Sequence, residues 1–229
     1  MVPLHSAKRS TMHCKIWHRH VSASPPAVIL LPRYYGIRGL GACYSVDLEG
    51  FHDHFEHNRR GPQPGEYASY YEKYISQIQG EDILGVLDEQ HRQTRLLFSR
   101  CSEADGDLRY APEKWSVKEV IGHVSDAERV FGYRALRIAR CDATPLSGFD
   151  ENDYVKHGPF TRRPLPDLIE DFVAVRQATL SLFRNCDPEG WTRRGVANQN
   201  AVSVRGLAYI IAGHELHHRR ILQEKYLKS

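Results

Sequence analysis

From Asp82 onward, four stretches of this chain carry largely apolar stripes at alternating spacings of three and four residues, the repeat that turns one face of an α-helix toward a partner. Leu84, Leu87, His91, Thr94 and Phe98 form the first stripe, in a helix expected from Asp82 to about Cys101. Val120, His123, Ala127, Val130, Arg134 and Ile138 flank the second, which runs to about Arg140. It opens on Ser116-Val117-Lys118-Glu119, a capping box in which the serine side chain accepts from the N3 amide and the glutamate from the N-cap amide. Leu168, Phe172, Val175, Thr179 and Leu182 mark a third helix beginning near Pro166, a good first-turn residue. Leu207, Ile211, His214, His218 and Ile221 mark a fourth from about Ser203. Four such stripes can enclose one core, so the expected fold is an all-α four-helix bundle.

Three smaller features complete this reading. A short helix is expected over roughly Tyr67–Ile78. A small hairpin is expected across Trp191–Val204, where β-branched residues flank Ala197-Asn198-Gln199-Asn200. The link Cys141–Leu165 is long and rich in Gly, Pro and Asp, and reads as a functional or floppy loop.

Residues 1–61 hold 8 Lys/Arg against 4 Asp/Glu and 7 of the 13 histidines, with no sustained period of either kind. They are expected to be a disordered or non-conforming N-terminal extension, either a leader or translated upstream sequence, ending at Gly61-Pro62-Gln63-Pro64-Gly65. Residues 62–229 form the helical domain, with 23 Lys/Arg against 24 Asp/Glu. A near-neutral domain argues against general nucleic-acid binding, and the basic ridge Arg134, Arg137 and Arg140 suits the C-terminal dipole of its helix. No run approaches the ~18 apolar residues of a membrane span. The cysteines (Cys14, Cys43, Cys101, Cys141, Cys186) are odd in number and scattered, which suits a reduced cytoplasm.

His214-Glu215-Leu216-His217-His218 spells H-E-x-x-H, the zinc-protease pattern, but almost no chain follows it to supply a third ligand. His214 and His218 share one helix face and fall on the apolar stripe; His217 can also pair with His214, and the stripe favours His218. His123, midway along the second helix, is the natural third ligand in a bundle, where metal sites are built from facing helices. Three neutral imidazoles leave an open position and suit zinc or nickel, with manganese or iron as alternatives. His91 is a candidate fourth ligand or pocket acid/base, or a core histidine. Asp126, one turn beyond His123, is a candidate carboxylate partner for an imidazole. Glu215 points away from His214, so a general-base role is not supported.

Trp115-Ser116-Val117-Lys118-Glu119-Val120-Ile121-Gly122-His123, Asp126-Ala127-Glu128-Arg129, Arg134 to Arg140 and Gly213 to His218 together resemble the DinB-like, YfiT-related metal-binding four-helix bundles over about residues 66–228. Pro145 to Tyr154 is similar to that family's loop after its second helix. The resemblance implies an up-down-down-up bundle with the long link as its crossover, and His123, His214 and His218 as ligands. It also implies chemistry such as thiol S-transfer or thiol-dependent isomerisation with a low-molecular-weight thiol, or hydrolysis. The leading expectation is a metal-dependent transferase acting on a small-molecule substrate, with Asp150, Glu151 and Tyr154 as pocket candidates. A bound-water hydrolase and a non-enzymatic homodimerising module are the alternatives.

Overall fold

The computed structural model describes residues 61–80 and 82–227. The expected extension therefore lies outside the described residues, apart from Gly61. A 3-10 turn at Ser69–Tyr71 leads into α1 (Glu72–Ile75), followed by α2 (Ile83–Phe98), α3 (Glu103–Gly106), α4 (Val117–Ala139), α5 (Glu151–His157) and α6 (Leu165–Arg184). Then come α7 (Pro188–Thr192), strands β1 (Arg194–Ala197) and β2 (Asn200–Ser203), and α8 (Val204–Ile221). Helices α2, α4, α6 and α8 are the bundle. Among the described residues no helix is long and apolar enough to cross a membrane.

Side-chain contacts fix the helix directions. Between α4 and α6, Arg129 meets Asp171 and a Cβ on Gly132 would touch Thr179, so numbers rise together and the helices are parallel. Between α2 and α8, Gln90 meets Ala212 and Thr94 meets Glu215, again in parallel. His91 packs on Phe172 while Asp88 meets Arg184, so α2 and α6 are antiparallel. His123 packs on His218 and Phe131 on His214, so α4 and α8 are antiparallel. The order is up-down-down-up, with α4 and α6 as the parallel central pair.

Local chemistry explains the element ends. Ser116 accepts from the Glu119 amide at 3.3 Å and the Ser116 amide donates to Glu119 Oε2 at 2.6 Å, completing the capping box. Asp82 caps α2 and Ser203 caps α8. The hairpin turns through Asn198 and Gln199, both at positive φ (49° and 63°), the geometry of a two-residue hairpin turn.

Several expectations change in detail. The first helix turns by about one residue: Ile83 and Gln90 are buried with Leu87, Thr94 and Phe98, and Gln90 donates to the Ala212 carbonyl at 3.0 Å. The helix expected over Tyr67–Ile78 is only the 3-10 turn and α1. Trp191 belongs to α7 rather than the hairpin, because Asp187 caps that turn and Pro188 starts it. The Cys141–Leu165 link is not a loose loop: α5 lies within it, and Leu146 pairs with β1 through Leu146 N–H to Val196 O and Asn198 N–H to Leu146 O, both 2.9 Å. Arg134 leaves the basic ridge and is buried.

The interior also holds charges. Arg176, 0% exposed, donates through Nε and Nη2 to both oxygens of buried Glu128 at 2.8 Å, and through Nη1 to the Leu87 carbonyl at 3.1 Å. One side chain thereby joins α2, α4 and α6. Buried Glu66 accepts from Ser203 Oγ at 2.8 Å and Arg205 Nε at 3.1 Å, fastening the segment before α1 to the start of α8.

Candidate metal centre

Each of the two innermost histidines follows a glycine that admits a close neighbour. A Cβ on Gly122 would stand 2.3 Å from the Phe160 ring, so the crossover packs directly on α4 beside His123. A Cβ on Gly213 would stand 2.3 Å from the Tyr74 carbonyl oxygen, so α1 packs directly on α8 beside His214. The second approach places the Tyr74 ring edge-on to His214, at 5.5 Å.

In this setting α4 and α8 bring three imidazoles together. His123 Nε2 and His214 Nε2 are 3.0 Å apart, and His218 completes a group whose ligand atoms lie within 4.8 Å of one another. The ring centroids are 4.9, 4.7 and 4.5 Å apart for the pairs 123–214, 123–218 and 214–218. Trp115 covers His123 at 4.7 Å and Phe131 meets His214 at 6.0 Å. Burial among these rings pushes the His123 imidazole down to about 4. Burial, and then the neighbouring histidines, hold His214 and His218 well below the usual imidazole value. At neutral pH all three are therefore uncharged, with lone pairs to offer.

The arrangement fits a divalent cation. One proton can join the facing nitrogens of His123 and His214, but a third imidazole turned toward the same point gains nothing from that proton. A tetrahedral ion with ~2.0–2.1 Å bonds holds two nitrogens about 3.3 Å apart, close to the separation seen here.

His217 stays outside the group, packing edge-on to Tyr74 at 5.3 Å. His91 also lies outside it: its ring meets Phe172 at 6.5 Å, its buried Nε2 has no hydrogen-bond partner among the described residues, and burial lowers its pKa. Asp126 binds Arg129 at 3.0 Å rather than an imidazole, because its side chain faces α6 on the flank of α4. Glu215 is buried on the α2 side, accepting from Thr94, and burial raises its carboxyl pKa.

Two clefts reach the triad. One, of about 370 Å³, ends at His214 and is walled by Tyr70, Tyr71, Tyr74, Phe131, Phe149 and Arg134. The other, of about 230 Å³, ends at His218 beside Trp115, Val120 and Tyr226. Asn152, on α5, borders both. Asp150 and Glu151 line the His214 cleft, but Asp150 Oδ1 is occupied in capping α5 through the amides of Asn152 and Asp153, at 2.8 and 3.1 Å. Tyr154 packs on Phe149 at 5.1 Å and lines the far side of that ring. The tyrosine wall was not anticipated, although Tyr70, Tyr71 and Tyr74 already fall at helical spacing.

The model of the DinB superfamily matches residues 87–222, from α2 through the end of α8, and so includes all three histidines. This chain belongs to the DinB superfamily. A solved relative of this DinB chain is YfiT from Bacillus subtilis, described as a probable metal-dependent hydrolase with an unusual four-helix bundle topology. The two share 14% identity at a TM-score of 0.56, covering 72% of this chain and 91% of YfiT, a likeness of fold. No functionally curated protein matches the sequence.

Proposed function

We propose that this DinB-superfamily chain is a metal-dependent transferase that binds a low-molecular-weight thiol and presents it to a small electrophile. His123, His214 and His218 hold the cation, zinc or nickel being favoured by three neutral nitrogens. Such an ion, when bound, supplies Lewis acidity that favours the thiolate form of a coordinated thiol. The protein's own groups do the rest. Trp115, Tyr74 and Phe131 exclude water from the imidazoles, and the aromatic wall of the His214 cleft receives the electrophile's apolar body. The thiol gives its proton to solvent, its sulfur forms the new bond to carbon, and the leaving group departs with the electron pair of the bond that breaks.

The observation that carries this reading is a triad of imidazoles, two buried and His218 half-buried, open to two clefts with no carboxylate hydrogen-bonded to it among the described residues. Coordination to a divalent cation deprotonates a thiol outright, whereas it brings bound water only to a pKa of about 7. Free Cys101, Cys141 and Cys186 suit the reducing cytoplasm in which a small thiol is abundant. The hydrolase reading is second, supported by Glu151 in the His214 cleft.

Turnover separates them. Metal-loaded protein is mixed with glutathione or cysteine and 1-chloro-dinitrobenzene, and separately with nitrophenyl esters. Thiol conjugation that a chelator abolishes and His218→Ala lacks is expected. Metal-dependent ester cleavage without conjugation would replace the transferase with the hydrolase.

A further inference from the structure

Arg134 is a buried cation without an anion. It is 4% exposed and lines the same cleft as His214. Its Nη2 donates to the Ser147 carbonyl at 2.7 Å, and it also meets the Tyr71 hydroxyl. Its Cζ lies 5.8 Å from the centre of the Phe131 ring and 5.7 Å from that of Phe149. Among the described residues no carboxylate lies within ion-pairing distance of it. Nearby arginines differ: Arg129 holds Asp126 and Asp171, Arg137 holds Asp142, and the more deeply buried Arg176 has Glu128 on two bonds.

The Ser147 carbonyl and the Tyr71 hydroxyl account for two of five guanidinium N–H donors. The Phe131 and Phe149 rings share the charge, but neither they nor the carbonyl neutralises a cation that is only 4% exposed, and an anion in the cleft would. The acidic neighbours in the cleft do not serve: Asp150 caps α5, and Glu151 is exposed at its start.

We propose that Arg134 anchors a carboxylate of the molecule handled at the His123–His214–His218 site, so that the ligand of the His214 cleft is a monocarboxylic acid. This rests on that site being the reactive centre. The Phe131 ring stands between the two, 6.0 Å from the His214 ring and 5.8 Å from the guanidinium carbon. The carboxylate and the reacting group are thus separated by several bonds that lie along an aromatic face. The parallel N–H donors of one guanidinium match the two oxygens of one carboxylate and balance its single charge.

The test is calorimetric titration of the metal-loaded full chain with ω-mercaptohexanoate and ω-mercaptohexanol, in which the sulfur serves only to tether one end at the triad while the other end, acid or alcohol, lies along the His214 cleft toward Arg134. The acid is expected to bind at least about tenfold more tightly than the alcohol, a factor worth ~1.4 kcal/mol. Arg134→Gln should erase that difference by weakening the acid alone, and Arg134→Lys should retain part of it. Equal affinity for acid and alcohol in the wild-type protein, a comparison that needs no variant, overturns the proposal. An equal loss for both ligands in Arg134→Gln does the same. Hexanoate titrated into His218→Ala separates this claim from the metal. Binding there that falls when Arg134→Gln is added upholds the carboxylate site even if metal chemistry fails. Hexanoate binding indifferent to Arg134→Gln in both backgrounds overturns it.

Discussion

Gly213 and Tyr74 are in such close contact that a side chain on the glycine would meet the tyrosine's backbone oxygen, with its Cβ 2.3 Å away. Inside a helix, Gly→Ala ordinarily stabilises by about 1 kcal/mol. Here the obstacle is backbone, which cannot swing aside, so the sign reverses. Gly213→Ala is expected to lower stability by roughly 1–3 kcal/mol in urea unfolding. It should also weaken metal binding, because α1 and the Tyr74 ring must back away from His214. Stabilisation by this substitution would show that α1 does not pack as described.

The Glu128–Arg176 pair crosses three helices with no exposure to dilute it. Removing one partner strands the other, so Glu128→Ala should cost about 3–5 kcal/mol by denaturant unfolding. Adding Arg176→Met to it should cost less than the two single changes together, since no charge then remains unpaired. Additive losses would mean the two side chains do not interact.

Acid should act on the metal-free protein through His123. Its folded pKa, pushed down to about 4 by burial, lies below the unfolded value near 6.5. Between those values the unfolded chain binds the proton and the folded one does not, so stability rises with pH. The contribution is fully present above about 6.5 and is lost as pH falls toward 4, on the order of 3 kcal/mol for this one group. Chelator-treated protein should show at least that slope in unfolding midpoints between these pH values, and His123→Phe should reduce it to the share carried by His214 and His218, whose values burial also lowers. A flat profile for the unmutated chain would mean the imidazole is exposed.

How much the sequence disclosed depended on the kind of interaction. Stripes at spacings of three and four, the Ser116–Glu119 capping box and the Asn198-Gln199 turn are local signals, and the elements they mark form close to the expected ends, although the first helix stops at Phe98 rather than near Cys101 and the hairpin starts at Arg194 rather than Trp191. The pairing of His214 with His218 is likewise local, being one helical turn. Contacts between helices left weaker traces. Arg176 falls beside the stripe of α6 and reads as solvent-facing until Glu128 is seen opposite it. Arg134 sat among three arginines that a helix dipole explained, and its burial depends on Ser147 folding back across it. Tyr74 reaches the centre only because residue 213 lacks a side chain, a consequence of two positions far apart in the chain. Asp126 was one turn from His123, but position on a helix face does not say which neighbour that face meets, and Arg129 and α6 claimed it.

Every role proposed for this chain depends on His123, His214 and His218 holding one ion between α4 and α8. Elemental analysis of the purified full chain beside His218→Ala and His217→Ala tests this directly. The structure predicts about one divalent metal per chain in the unmutated protein and in His217→Ala, and a large loss in His218→Ala. Undiminished metal in His218→Ala, or loss confined to His217→Ala, would contradict it.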